Sequence, residues 1–379
     1  MPSSWWMRDS PAIFTVVLQM EASDDSETCD MHPDVAGLLK LQLGLPIPSN
    51  VPRYKLASQP CSEATPMCYD DSDLSFDVVH LNDVTDGRAM STIATHLFEK
   101  TGIIQKYALH ERKLADFLHA IQSGYGKNPY HNSVHAANVL HHSHIILCRM
   151  GVDDLYKRLK VYIAAIIHDY AHIGLTNTYL VSTLHEFAIT HNDISPMENH
   201  SIHAAFRVMA EHNFICDWPL HAQRCLRRDV ISLVMSTDMT SHVHHMNQFI
   251  DSHDCDDPNS FSIQTLVDLK IALKCADLGH TFLPIHLHMR WVKLLEEECF
   301  LQGDQEHENG MPVSPLFDRS NHGITISQTH FFKIVVVPMV NALCDVYPQT
   351  KCVLDAVLAN ANYWNRSEDG RAGRVSRMR

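Results

Sequence analysis

The run Val161-Tyr162-Ile163-Ala164-Ala165-Ile166-Ile167 ends in His168-Asp169-Tyr170-Ala171-His172. So apolar a run predicts a buried helix, and a buried charge is expensive unless it is paired or bound to a cation. His168 and His172 stand four apart, which on a helix puts them on one face, with Asp169 beside the first. Imidazole and carboxylate at the end of a buried helix are donors that suit a divalent cation. Read alone, the stretch is equally a core histidine next to a capping aspartate. The rest of the chain decides between the two.

Working outward, Tyr130-His131-Asn132-Ser133-Val134-His135 again sets two histidines four apart, after the turn signal Asn128-Pro129. Asp277 follows the apolar helix expected to end near Ala272, within Lys274-Cys275-Ala276-Asp277-Leu278-Gly279-His280. A fourth group is Asn192-Asp193 with Glu198-Asn199-His200. Four clusters of histidine and carboxylate beside apolar helices favour a metal centre far more than any one does.

Helical spacing of apolar residues marks Thr92–Ile104, Ala108–Gln122 and Ser133–Met150, with Asp153 or Asp154 capping a helix that runs toward His168. The pattern continues through Ser201–His212, Ala222–Ser236, Ile263–Cys275, Pro284–Leu301 and Ser327–Val346. Period-two alternation is scarce, and Pro and Gly fall between the periodic segments. The expectation is an all-α domain, a compact bundle of many helices around one site. His242, His244 and His245 are expected in a loop.

Residues 1–75 are rich in Pro, Ser and acidic residues and read as a poorly ordered leader, with a brief helix over 34–45. Residues 76–365 form the expected catalytic domain, and 366–379 a basic, solvated tail carrying Arg366, Arg371, Arg374, Arg377 and Arg379. No internal repeat is evident.

The 379 residues carry a formal charge of −14, which excludes a general basic field for nucleic acid. Bound divalent cations would still let a local site attract an anion. Eleven cysteines without regular spacing argue for free thiols in a reducing, intracellular, cytoplasmic setting. No apolar run nears the roughly 20 residues of a membrane span, and Ala12–Met20 makes a poor signal peptide.

Seven motifs stand in a telling order. They are Tyr130-His131-Asn132 with His135-Ala136, His168-Asp169 with His172, Glu198-Asn199-His200, Thr237-Asp238-Met239, Ala276-Asp277-Leu278, Gln302-Gly303-Asp304 and Ser327-Gln328. In this order and spacing the chain resembles the class I 3′,5′-cyclic nucleotide phosphodiesterases over roughly Phe76–Trp364. The resemblance implies the fold of the HD-type metal phosphohydrolases. It also implies hydrolysis of cyclic AMP, cyclic GMP or both to 5′-monophosphates, which ends a cyclic nucleotide signal.

Position by position, the resemblance makes His135, His168, Asp169 and Asp277 ligands of a first cation, usually zinc. Asp169 also bridges to a second, usually magnesium or manganese. His172 and Glu198 match residues that hold the second cation's waters. His131 matches the general acid. Gln328 matches the residue that hydrogen-bonds the purine edge, and Phe331 the ring that stacks on it. Tyr130, Met239, Leu278 and Leu295 match pocket-lining positions. The implied partners are a cyclic purine nucleotide and a second copy of the chain in a homodimer. The chemistry suits these residues, because two cations about 3.5–4 Å apart can share a hydroxide and hold phosphate oxygens. A placed imidazolium can protonate the leaving 3′ oxygen.

Several positions depart from the family pattern. His172 is followed by Ile173-Gly174 where Pro-Gly is common, and Ser201 stands where a second histidine is frequent. His280 replaces a common Asn, Thr329-His330 replace Val-Gly, and Cys299 replaces a Phe. The last three bear on the choice of base rather than on the reaction. Two other readings remain. Another HD-type nucleotide phosphohydrolase would explain His168-Asp169 but not Gln328, Phe331 or Tyr130-His131-Asn132. A non-catalytic cyclic nucleotide binding module would fit degenerate ligands, yet every ligand type is present.

Overall fold

The computed structural model describes residues 69–253, 265–321 and 323–377, with side chains as far as 366. The leader up to residue 68, including the brief helix expected over 34–45, lies outside the described residues. Every regular element among the described residues is helical. In order these are α1 (Val78–Val84), α2 (Ala89–Lys100), α3 (Ile103–Lys106), α4 (Glu111–Gly124), α5 (Ser133–Arg149) and α6 (Leu155–Ile167). Next come α7 (Asn177–Ser182), α8 (Glu186–Thr190), α9 (Pro196–Glu211), α10 (Leu220–Met235), α11 (His242–His253) and α12 (Leu266–Asp277). The series ends with α13 (Ile285–Glu308), α14 (Gln328–Phe331), α15 (Val337–Val346) and α16 (Lys351–Arg377).

Helix α5 is the axis of the bundle. Asn132 fixes its start, its Oδ1 accepting from Val134 N at 2.8 Å and His135 N at 3.2 Å. Such a cap contributes about 1 kcal/mol. Every residue from His135 to Leu147 is buried, against α2, α6 and α12. A helix enclosed on all sides must satisfy its polar side chains internally. His141 Nε2–H donates to Asp73 O at 2.9 Å, and its Nδ1 accepts from the Tyr69 hydroxyl at 3.1 Å. His144 Nδ1 meets the Tyr162 hydroxyl at 2.7 Å. Asp71 binds His96 Nε2 at 3.1 Å and Lys100 Nζ at 2.6 Å. Tyr69–Ser75, read from sequence as leader, is thus strapped across α5 and α2.

Helix α6 starts at the cap Asp154, which accepts from Tyr156 N at 2.8 Å. Its residues Leu159 and Val161–Ile167 are buried. Helix α12 starts with a capping box between Thr265 and Asp268 and buries Leu269 and Ile271–Ala276. Each such aliphatic side chain contributes about 1.5–3 kcal/mol on burial. That gain holds the polar residues at the helix ends inside a dry interior.

Three expectations change. First, α6 ends at Ile167, so His168 and His172 do not share a helix face. Likewise His131 precedes the cap of α5 rather than lying one turn from His135 along it. Second, His242, His244 and His245 lie on α11, not in a loop, because His245, Met246 and Phe249 give that segment a buried face. Third, Ser327–Val346 is not one regular helix. A 3-10 turn, Ile324–Ser327, leads into α14, and Phe332–Val336 is a π-helix in which Val337 N donates to Phe332 O. Pro338 has no N–H for the Ile334 carbonyl, which removes an α-helical bond at that point.

By length and hydropathy Ile324–Val346 could cross a membrane, whereas no such run was expected. Its Phe332, Val336, Met339, Val340 and Leu343 pack into the main core.

Candidate functional site

His168 follows the last turn of α6 with Nδ1 3.0 Å from Ala165 O. A carbonyl only accepts, so Nδ1 carries the proton there and Nε2 is left as the ligating base. That Nε2 lies 3.2 Å from His135 Nε2, 3.1 Å from Asp169 Oδ2 and 3.3 Å from Asp277 Oδ1. His135 Nε2 is 3.1 Å from Asp277 Oδ1 and 3.4 Å from Asp169 Oδ2. Donor atoms about 2.0–2.1 Å from a tetrahedral cation stand about 3.3 Å apart, so the four fit one ion. Burial would push the His168 imidazole down, but Asp169 and then Asp277 hold it well above its ordinary value, so this point strongly attracts positive charge.

Beside this cluster, His131 Nδ1 hydrogen-bonds Glu298 Oε1. Glu298 Oε2 accepts from Tyr130 N at 2.8 Å and His131 N at 3.0 Å. Burial would lower the His131 imidazole, yet the charge of Glu298, then that of Asp169, raises it to about 9. Burial would raise Glu298, and the charge and hydrogen bond of His131 hold it at about 2. With Nδ1 engaged, the ring presents Nε2 toward the cluster, 4.0 Å from Asp169 Oδ2.

His172 stacks on His131, ring centroids 4.2 Å apart and planes at 28°. Burial, then the charge of His131, pushes its imidazole down to about 4. His131, His172 and Glu298 are near enough to hold an ion. Stacked rings, however, direct their lone pairs side by side rather than at one point, and His172 Nδ1 already accepts from Gly174 N at 2.9 Å. This trio is an imidazolium held between a carboxylate and a neutral ring.

Local backbone devices bring His131 and His172 together where helix geometry does not. Ala171 takes φ +59°, a left-handed turn that reverses the chain after Asp169. Asn128 Nδ2 then donates both to His131 O at 3.0 Å and to His172 O at 2.7 Å, tying the two loops. Glu298 carries no signal in a short motif, and Asn128 signals only the turn it makes with Pro129. Glu298 could be found from its place on the α13 face that also carries Trp291, Leu295 and Gln302.

The remaining expected residues form the surroundings. Tyr130 is buried, with its ring against His131, His135, His280 and Trp291. Leu295 packs on the cluster of Tyr130, Leu283 and Trp291, and Leu278 packs on the main core. Glu198 accepts from Asn177 Nδ2 at 2.9 Å, and burial, then the charge of Asp238, raises it to about 7. Met239 is 41% exposed on a 3-10 turn. Gln328 is buried, its Nε2 donating to Ile324 O at 3.3 Å and its Oε1 without a partner. Phe331 is half-buried at the core edge. Among the described residues no direct contact joins Gln328 or Phe331 to the His–Asp cluster. The rings of Phe332, His288, His280 and Tyr130 span the distance.

Other parts of the motifs are structural. Asn192 and Asp193 are exposed, and His200 stacks on Phe187 at 3.6 Å. Gln302 Oε1 accepts from Thr176 N at 2.8 Å. A Cβ on Gly303 would stand 1.9 Å from Phe317 O, so glycine is needed there for close approach of two backbones.

Residues 130–357 match the model of the 3′5′-cyclic nucleotide phosphodiesterase family. A Drosophila melanogaster relative named dual specificity calcium/calmodulin-dependent 3′,5′-cyclic nucleotide phosphodiesterase 1 is 34% identical over 306 residues, covering 78% of this chain and 35% of its own. The Mus musculus protein of the same name, form 1B, is 37% identical over 299 residues, 75% of this chain and 54% of its own. A Drosophila melanogaster 3′,5′-cyclic-AMP phosphodiesterase, isoform F, is 31% identical over 301 residues, 76% of this chain and 46% of its own. The chain thus spans about a third to a half of the length of these relatives. With most of its described helical domain matched, and with the His–Asp cluster inside the matched segment, the chain belongs to the 3′5′-cyclic nucleotide phosphodiesterase family.

Proposed function

We propose that this chain hydrolyses a 3′,5′-cyclic purine nucleotide to its 5′-monophosphate. The observation that carries the reading is the convergence of His135, His168, Asp169 and Asp277 beside the His131–Glu298 pair. His135, His168, Asp169 and Asp277 would hold a first divalent cation, zinc by the preference of two imidazoles and two carboxylates. Asp169, with His172 and Glu198 behind it, would serve a second, magnesium or manganese. When bound, the cations supply Lewis acidity toward the phosphate and the attacking water.

The protein's own part is positional and protonic. Glu298 keeps His131 charged and fixes its ring, so the proton to be given lies on Nε2. As the water oxygen bonds to phosphorus and gives up one proton to solvent, the bond to the 3′ oxygen breaks and that oxygen takes the Nε2 proton, which solvent then restores to His131. The buried wall of Tyr130, Trp291 and Leu295 limits water on the ring side, and Gln328 and Phe331 receive the base. The described cysteines are all free, which supports a reducing, cytoplasmic setting. A homodimer, if formed, is read from sedimentation velocity.

The test is turnover of cyclic AMP and cyclic GMP by the full chain supplied with zinc and magnesium or manganese. The expected result is metal-dependent release of 5′-monophosphate, abolished by a chelator. Release of inorganic phosphate from mononucleotides with cyclic substrates untouched would replace the reading with another phosphohydrolase. Tight cyclic nucleotide binding without turnover would make the chain a binding module.

A further inference from the structure

Gly124-Tyr125-Gly126, at the C-terminal end of α4, lies against the turn that carries His168 and Asp169. Each of the three residues meets a different point of that turn. A Cβ on Gly124 would stand 2.2 Å from the Tyr170 hydroxyl oxygen and 2.7 Å from its ring, so a larger residue would push Tyr170 aside. A Cβ on Gly126 would stand 3.0 Å from His172 O. Between them Tyr125 is buried, its ring edge-on to that of Tyr170 with centroids 5.7 Å apart. Its hydroxyl donates to Ile166 O at 2.8 Å, and the Asp169 backbone hydrogen-bonds the same oxygen.

The last carbonyls of a helix have no partner within it. At the end of α6 each finds its own. Ala165 O takes His168 Nδ1–H at 3.0 Å, Ile166 O takes the Tyr125 hydroxyl, and Ile167 O takes Tyr170 N at 3.0 Å. Of these donors only Tyr125 comes from another element. A phenol has one proton to give and lone pairs to receive. Tyr125 spends the first on Ile166 and the second on Asp169, so one oxygen spans the backbone on both sides of His168. Asp169 needs such a hold, because the chain leaves α6 at His168 and turns left-handed at Ala171, φ +59°.

We propose that Tyr125 is a positioning residue, whose hydroxyl fixes the Asp169 backbone and so aims the carboxylate that serves the second cation. The proposal rests on the two-cation reading above. The first cation keeps three donors that Tyr125 does not touch, on His135, His168 and Asp277. The second has only Asp169 in front of His172 and Glu198. Loss of the hydroxyl therefore weakens the second cation more than the first. The same stretch of chain runs on through Asn128, which holds His172 O at 2.7 Å, to His131. The bridging carboxylate and the proton donor are thus set from one segment.

The test is Tyr125→Phe in the full chain, which removes one oxygen and keeps the ring. Zinc bound at the first site, read by elemental analysis, is expected to match the parent. Manganese affinity of the zinc-loaded protein, read from the electron paramagnetic resonance of free Mn2+, is expected to fall roughly ten- to a hundredfold. An unchanged manganese affinity overturns the inference. So does an equal loss of zinc and manganese, which would make the hydroxyl a general support of the fold. If Tyr125→Phe does not fold, hydrogen exchange in the parent decides. There the Asp169 amide is expected to exchange at least about a hundredfold more slowly than an open amide, and exchange at the open rate overturns the inference. Each of these failures leaves the two-cation reading standing. A parent that binds neither ion overturns both.

Discussion

Replacing Glu298 with Gln removes one buried charge and little else. The amide oxygen can still accept from Tyr130 N and His131 N, which now lie 2.8 and 3.0 Å from Oε2, so the loop should hold its place. What changes is the His131 imidazole. Glu298 is the largest influence raising it to about 9, and without that charge burial opposes only Asp169 and Asp277. The ring should fall back to about its ordinary 6.5, a change of roughly 3 kcal/mol at 1.36 kcal/mol per unit.

The sign follows from the proton's direction. The charged ring is the donor, so activity falls as pH rises through its pKa. At pH 8 the charged share drops from about 90% to about 3%, a loss of about thirtyfold, while at pH 6 the loss is under about twofold. Bound cations lower both profiles together, so the separation between parent and variant is the quantity to read. The assay is kcat/KM for cyclic nucleotide hydrolysis from pH 5.5 to 9 in both proteins. Alkaline limbs that coincide, or a loss equal at every pH, would refute the argument and leave Glu298 a merely structural residue.

Other consequences are as direct. His168→Ala takes one donor from the four-atom cluster, so bound metal measured by elemental analysis should fall by about one ion per chain and activity by at least about a hundredfold; full metal content would dismiss His168 as a ligand. Gly303→Ala drives a methyl into Phe317 O and should cost about 1–3 kcal/mol in urea denaturation. Lys274→Met strands the carbonyls of Ser236 and Asp238, which Nζ reaches at 2.8 and 3.4 Å, and should cost a similar about 1–3 kcal/mol. An unmoved denaturation midpoint in either variant would contradict the packing described.

What the sequence made legible was the set of helices and the meeting of His135, His168, Asp169 and Asp277. Polar residues at the ends of strongly apolar helices have few places to go but one another. Less legible was the local route by which His131 and His172 reach the cluster. Both lie outside helices, and what places them is an N-cap at Asn132, a left-handed Ala171 and the Asn128 side chain. The widened turn at Phe332–Val336 was readable in principle from Pro338. The strap at Tyr69–Ser75 was not, because its polar composition imitates a leader and its partners, His141, His96 and Lys100, are far away in sequence. Glu298 was hidden for the same reason: its partners on the 130–131 segment are joined to it only by tertiary packing.

Helix α13 carries Trp291, Leu295, Glu298, Gln302 and Glu306 along one edge, about 22 Å from first to last at 1.5 Å per residue. Trp291 backs the Tyr130 wall, Glu298 grips His131, Gln302 secures Thr176, and Glu306 takes Ser314 N and Oγ. Three otherwise unrelated loops are geared to a single rod. Sliding or tilting that rod moves the proton donor, the wall beside it and two distant surface loops in step, so none of them can be repositioned independently.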